Sequence, residues 1–510
     1  MSMLTSSSNG WRISEQLQMW VIATMIIVGG FYAVVHGYTS AVVAIVALGT
    51  LYAVYQQNRS LGICVAVAFL ILIGDERRVL GWLTDFPSND PLLLVGPAFI
   101  LLAALPALIH IRLRDTMSKL VLALGVIMVL EIFNPGQGGL AVGLSGALFF
   151  IPQLLWFWLG RNYGNEAMIR RLIFRVVIPL ATLAALLGYY QVYVGETPWE
   201  HAWVLHSGYT ALYLGGKTIR AIGFSTSGQE YTDLLLIGSY FCVAQVLRRR
   251  WIYGLPLAIL IPAIVLASSR GCIIRFALAV TLAWTLRGKQ KATRPLRFAV
   301  AVIAVVGSIA FLVSKGGSGG GGESANKTNA SAAIAHDTNG LAHPLDQRYS
   351  TVGLHSQEIV LGTIEAIKHP IGYGIGETTG ASRFSNTGQT LMTEFDLSDS
   401  FVDLGVPGGL IYLAIFGLGL LLAYRYSEFG APDLRIAIVI FFAADAGSWM
   451  YTGEYGNVPI LWFLLGTVTA LVYEKKQEQA RLLALRRSRP LPAGPLTTVA
   501  LPTAKTSALR

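Results

Sequence analysis

The sequence predicts an all-α polytopic membrane protein, with about fourteen transmembrane helices and one large polar loop outside the bilayer. Three observations lead there. Apolar runs of roughly 17 to 22 residues recur along the chain, long enough to cross a hydrocarbon core of about 30 Å. Only 13% of the 510 residues are charged and 54% are hydrophobic, with a mean hydropathy of +0.57. A soluble domain carries about 25% charged residues. Lysine and arginine cluster in alternate connections between the runs, as orientation by positive charge on the inner side requires.

The expected spans fall near 18–36, 40–56, 61–74, 92–110, 119–132, 141–160, 173–193, 231–247, 253–269, 272–286, 298–314, 401–424, 434–450 and 457–474. Residues 1–314 thus hold eleven spans, 315–400 form the outer loop, 401–474 hold three spans, and 475–510 form a basic tail. With both termini on the inner side, the inner connections carry Arg112, Arg114 and Lys119, then Arg161, Arg170 and Arg171, then Arg248, Arg249 and Arg250, then Arg287, Lys289, Lys291, Arg294 and Arg297. The net charge of +10 therefore reads as a topology signal, with no hint of nucleic acid. The first span has only Arg12 before it and no small-residue cleavage site after it, so it reads as a retained helix. Cys64, Cys242 and Cys272 lie in apolar runs, with no disulfide or metal spacing.

The outer loop holds nine acidic and five basic residues, so it contrasts with the basic inner connections. It opens on a flexible tether, Gly316 to Gly322. From Ser356 to Lys368, Val360, Ile364 and Ile367 recur at helical spacing, as expected of a helix lying along a membrane surface. Pro370 stops it. Gly372, Gly374 and Gly376 then make a turn that admits close backbone approach, either to a ligand or to a neighbouring segment.

Three outward arginines carry the first chemical signal. Arg220 lies in RAIGF, Arg270 in SSRG at the outer end of a span, and Arg348 just before the amphipathic helix. A guanidinium at a membrane edge serves as an interfacial anchor, a structural ion pair or a phosphate ligand. Three converging would suit a pyrophosphate, since each can make two parallel hydrogen bonds to phosphate oxygens.

The order RAIGF, SSRG, an arginine before an amphipathic helix, HPIGYGIG, and an acidic position about eleven residues before LGVPGG resembles the O-antigen ligase and polymerase superfamily. NPGQGGLAVGLSG (Asn134 to Gly146) is similar to exopolysaccharide polymerases of that group. The resemblance covers roughly residues 120–475. It implies a C-type glycosyltransferase-like fold with a large periplasmic loop, in the bacterial inner membrane, with both termini cytoplasmic. It implies an undecaprenyl-pyrophosphate-linked glycan as donor, no cofactor and no metal, and, for a polymerase, a chain-length regulator as partner. Arg220, Arg270 and Arg348 match the positions of pyrophosphate-binding arginines. Where ligases place a histidine, this chain has Glu394. That departure points to a polymerase joining lipid-linked repeat units.

The implied reaction is displacement at an anomeric carbon. Fixed positive charge must meet the leaving pyrophosphate, and a base must meet the attacking hydroxyl. Glu394 is the first candidate base, followed by Asp399 and Asp396, with His355 and His369 behind them. Asp396, Ser398 and Asp399 also suit helix caps, and His369 suits a helix end. Two alternatives stand. One is an O-antigen ligase or protein O-oligosaccharyltransferase using the same donor. The other is a transporter or flippase of lipid-linked glycans, for which buried charges such as Glu131, Arg275 and Asp445 would be the sign.

Overall fold

The computed structural model describes residue 28, residues 38–86, 90–109, 113–209, 213, 219–287, 329–343, 346, 352–385, 396–445, 449 and 454–488. Among these the fold is all-α, and one isolated bridge, Tyr213 to Ile219, is the extent of β pairing. The helices are α1 (Thr39–Gln57), α2 (Arg59–Thr84), α3 (Val95–Ile109), α4 (Thr116–Glu131), α5 (Leu140–Tyr163), α6 (Glu166–Tyr193), α7 (Pro198–Ser207), α8 (Gly228–Leu247), α9 (Gly254–Leu266), α10 (Arg270–Arg287), α11 (Asn329–Ala342), α12 (Val352–Lys368), α13 (Asp396–Phe429), α14 (Arg435–Ala444) and α15 (Asn457–Ser488). Six are long and apolar enough to cross a membrane by length and composition: α1, α3 with its leading turn (Pro91–Ile109), α5, α6, α13 and α15. The segments Trp251–Leu266 and Arg435–Ala444 are apolar but shorter.

Helices occupy twelve of the fourteen ranges expected from hydropathy, and the six above qualify as spans. The ranges 18–36, apart from Val28, and 298–314 lie outside the described residues. α2 departs from expectation, because it runs on past residue 74 through Asp75, Glu76, Arg77 and Arg78. Hydropathy ends a span at such a charge run. Here the helix continues because Arg78, 1% exposed, finds backbone carbonyls to bond.

α5 and α15 form the most extensive helix pair. Their approach depends on glycine. A Cβ on Gly160 would stand 2.0 Å from the Phe463 carbonyl oxygen, and one on Gly466 2.0 Å from that of Phe157. Lipid tails are as apolar as leucine, so close backbone packing rather than burial from water drives such pairs. Thr467 adds a hydroxyl hydrogen bond across the pair to Gly160 O at 3.3 Å. Around this pair α3, α4 and α13 pack on one side, and α6, α8, α9 and α10 form a second group bridged by α14.

Candidate functional site

Arg220 opens the irregular segment that leads into α8. With no regular secondary structure, that segment needs side chains to hold its backbone. Arg78 donates from Nη1 to Ser225 O at 2.8 Å and from Nη2 to Gly223 O at 2.7 Å. Gln191, near the end of α6, accepts from Ile222 N at 3.0 Å and Gly223 N at 2.9 Å. Its own amide donates to Glu200, which forms a capping box with Thr197 at the start of α7. Gly74 lets α2 come close, since a Cβ there would meet the Ser225 carbonyl at 2.3 Å. The Arg220 side chain is thereby set over the first residue of α8: its Cδ lies 3.5 Å from where a Cβ of Gly228 would stand. Its Nε is buried and meets no acceptor among the described residues.

Arg270 is the first residue of α10. The turn before it is strained: Ser268 has φ 55°, a left-handed conformation that costs a non-glycine residue of order 1–3 kcal/mol. The Ser268 hydroxyl is buried and meets no partner among the described residues.

Arg270 packs against α11, and Arg220 acts on the same helix from the segment before α8. This helix buries a narrow stripe, Ala330, Ala333, Asp337 and Gly340, spaced three and four residues apart. It packs against α6, α9 and α10. Gly340 leaves space for the Arg270 guanidinium, whose Nη1 lies 1.9 Å from the position a Cβ would take. Asp337 is 2% exposed, and neither of its carboxylate oxygens meets a hydrogen-bond donor among the described residues. Burial pushes its carboxyl up to about 7, against the pull of Arg270 and Arg220. Burial, then the same two arginines, holds the half-buried His336 below the usual histidine range. The cluster therefore holds two fixed positive charges, a carboxyl that titrates near neutrality and an uncharged imidazole. Such a site attracts anions.

Arg348 and Glu394, two residues singled out in the sequence, lie outside the described residues, as does the side chain of His355. Asp396 and Asp399 sit in the first turn of α13, both buried. Asp396 accepts from the Tyr412 hydroxyl at 3.2 Å and from the Trp449 amide, so it ties α13 to the segment after α14. The His369 ring lies tilted against that of Tyr373, with ring centroids 4.2 Å apart.

The glycine-rich turn faces protein backbone. α13 is broken at Gly405 (φ 65°, ψ −171°), where a Cβ would meet the Ile371 carbonyl carbon at 2.3 Å. Tyr373 N donates to Val402 O at 2.9 Å, Gly374 N to Asp403 O at 3.1 Å and Val406 N to Pro370 O at 2.9 Å. Gly374 (φ 114°) abuts Gln137, and Gly376 abuts Val142. Asn134 Nδ2 donates to Gly372 O at 3.0 Å. Two distant motifs, NPGQGG and HPIGYGIG, are thus one packed unit. Beside it opens a cleft of about 780 Å³ lined by Glu131, Asn134, Lys368, His369 and Tyr373. Tyr373 donates to Glu365 at 2.6 Å; a hydrogen bond from Lys368 and then this one hold the Glu365 carboxyl below its usual range. α12 buries only Gly362 and Ala366 among its described side chains and leaves Val360, Leu361, Ile364 and Ile367 exposed.

A second polar cluster lies inside the bundle. Arg275 Nη1 donates to Asp233 at 2.5 Å, Nη2 to Asp445, and Nε to Ala444 O at 3.2 Å. Among the described residues Glu454 Oε1 and Asp233 Oδ2 are buried without a donor, and the two carboxyl groups are neighbours.

Asp337 and His336 were not among the residues singled out in the sequence. The signal that marks them is the stripe at 330, 333, 337 and 340, where one acid stands among small residues on the buried face of a helix. No family model matches this chain, and no curated protein matches it either.

Proposed function

We propose that the chain is a membrane glycosyltransferase that joins lipid-linked oligosaccharide repeat units, with a polyprenyl (undecaprenyl) pyrophosphate as leaving group. One observation carries this reading: Arg270, seated against Gly340 of α11, and Arg220, some fifty residues away in sequence, both act on the buried Asp337 carboxyl. Two guanidiniums held on rigid elements can take the oxygens of a pyrophosphate through paired hydrogen bonds. Negative charge grows on that group as the glycosidic bond breaks, and charges already fixed in place stabilise it without reorganisation. The resemblance to the O-antigen ligase and polymerase superfamily supports the same donor. Its expected polymerase chemistry, periplasmic site and inner-membrane location belong to this proposal.

The test is reconstitution. Purified protein in lipid, supplied with polyprenyl-pyrophosphate-linked repeat units, should yield a ladder of longer glycans on a gel. Arg220→Ala and Arg270→Ala should each lose the ladder while still inserting. Wild-type protein that gives no ladder would overturn the reading.

The buried cluster of Arg275, Asp233, Asp445 and Glu454 favours a second reading, transport of a charged or lipid-linked solute, because ionisable groups inside a bundle often mark a pathway. Proteoliposomes that move labelled lipid-linked glycan across the bilayer without extending it would select that reading.

A further inference from the structure

We infer that Asp337 takes the proton from the attacking sugar hydroxyl, as the catalytic base of the proposed glycosyl transfer. The inference rests on that proposed reaction and adds a residue and a role to it. The geometry starts from two orphaned atoms. Both oxygens of Asp337 are buried and meet no donor among the described residues. A buried carboxylate beside two guanidiniums ordinarily takes direct hydrogen bonds from them, because leaving a charged group unsatisfied is costly. Here the carboxylate stands in the field of Arg220 and Arg270 with neither oxygen receiving an N–H. Its acceptor capacity is therefore left for a donor that arrives with the substrate, and a sugar hydroxyl is such a donor.

Exposure orders the cluster. Arg220 and Arg270 are half-buried, and Asp337 is closed off more deeply. A pyrophosphate taken by the two arginines would bring the anomeric carbon it carries to the neighbourhood of Asp337, where an acceptor hydroxyl donating to that carboxylate can attack it. In the step, the acceptor oxygen bonds to the anomeric carbon and the bond from that carbon to the phosphate oxygen breaks. The bonding pair leaves on the pyrophosphate, between the arginines. The hydroxyl proton passes to Asp337 Oδ.

The groups facing Asp337 fit that task. Arg270 comes from α10, Arg220 from the segment before α8, and His336 from α11 itself; their effect on the carboxyl is opposed by burial. A base is most effective when its pKa lies near the working pH, and this one lies at about 7.

The experiment compares wild type with Asp337→Asn and Asp337→Glu, each in lipid and each shown to be folded by its melting curve. It uses polyprenyl-pyrophosphate-linked repeat units and reads kcat, KM and the pH profile. The expected result for Asp337→Asn is a kcat lower by roughly 10²- to 10⁴-fold with KM for the donor little changed. Wild-type kcat should rise with pH through a midpoint near 7, and the residual activity of the Asn variant should lack that limb. Asp337→Glu should restore part of the rate, since it keeps a carboxyl group. A wild-type ladder with an Asn variant of unchanged kcat and an unchanged rising limb would overturn the role of Asp337 and leave the proposed function standing. So would tighter donor binding at unchanged kcat, which would make the carboxylate a mere occupant of the arginine pair. Wild-type protein without a ladder would overturn both.

Discussion

Gly340 gives Arg270 its place. A side chain at position 340 would put its first carbon 1.9 Å from Nη1 and 2.6 Å from Cδ of that arginine. The guanidinium lies across the helix at the one position of the stripe that has no Cβ to block it. This contact separates helix stability from arginine placement, because alanine suits a helix better than glycine does.

Gly340→Ala should therefore raise the helical preference of α11 by up to about 1 kcal/mol while displacing the Arg270 guanidinium. Polymer yield should fall roughly ten- to a hundredfold, as misplacement of a positioning group by about an ångström does. Paired melting curves and gel ladders check this. Unchanged yield would show that the exact seat of Arg270 is immaterial.

Arg270→Lys should not rescue Arg270→Ala. A lysine keeps the charge but supplies a compact ammonium in place of a planar fork, so it cannot bind one phosphate through two parallel bonds. The same holds for Arg220. Titration with the lipid-linked donor should show weaker binding in the Lys variants, and wild-type affinity would contradict the phosphate role.

Asp337 should make stability fall as pH rises. Its folded-state pKa, about 7, lies above the ordinary value of about 3.9 for an unfolded chain. The stability associated with its protonated form is thus fully present below about pH 4 and is lost as pH rises toward 7, by at most about 1.4 kcal/mol per pH unit. Asp337→Asn lacks this loss. Melting temperatures of the two proteins should diverge across pH 4 to 7, with wild type falling relative to the variant. Parallel curves would contradict the burial of the carboxylate.

Arg275 should be a stability residue. It bonds Asp233, Asp445 and the Ala444 carbonyl, so its removal strands two buried acids. Arg275→Ala should cost roughly 3–5 kcal/mol, the usual consequence of breaking a buried pair on one side. Glu454→Gln should be neutral or stabilising, because an amide offers Asp233 Oδ2 the donor it lacks. Both are read from thermal unfolding in detergent. A mild effect at Arg275 would favour a solvated pathway and hence the transport reading.

Gly405→Ala should disrupt the unit formed by the glycine-rich turn and the α13 kink. The residue is at φ 65° and its missing Cβ is where the Pro370–Ile371 backbone passes. Strain alone costs about 1–3 kcal/mol, and the backbone clash adds to it. Protease accessibility of the 370–378 turn should rise in the variant. Unchanged protection would place the turn's stability elsewhere.

The sequence by itself determined the helical class, because a chain with recurring long apolar runs must satisfy its backbone bonds within each segment when water is absent. It marked Arg220 and Arg270 as charges out of keeping with their apolar surroundings, and it marked the glycines at 372, 374 and 376 as points of close approach. It did not reveal what they approach. That Gly372 and Gly374 meet the kinked α13 and the NPGQGG turn is a contact between segments far apart in the chain, and no local pattern encodes it. Asp337 was hidden for a related reason. It looks like any acid in a polar loop until packing against α6, α9 and α10 buries it and strips it of water. Likewise the charged end of α2 looks like a helix stop, and only the carbonyls of Gly223 and Ser225 make Arg78 tolerable inside. Periodicity and composition decide which segments form helices, since those are local demands of the backbone. Burial, orphaned hydrogen-bonding groups and the meeting of two arginines with one carboxyl are decided by tertiary packing, since each depends on what a distant segment brings.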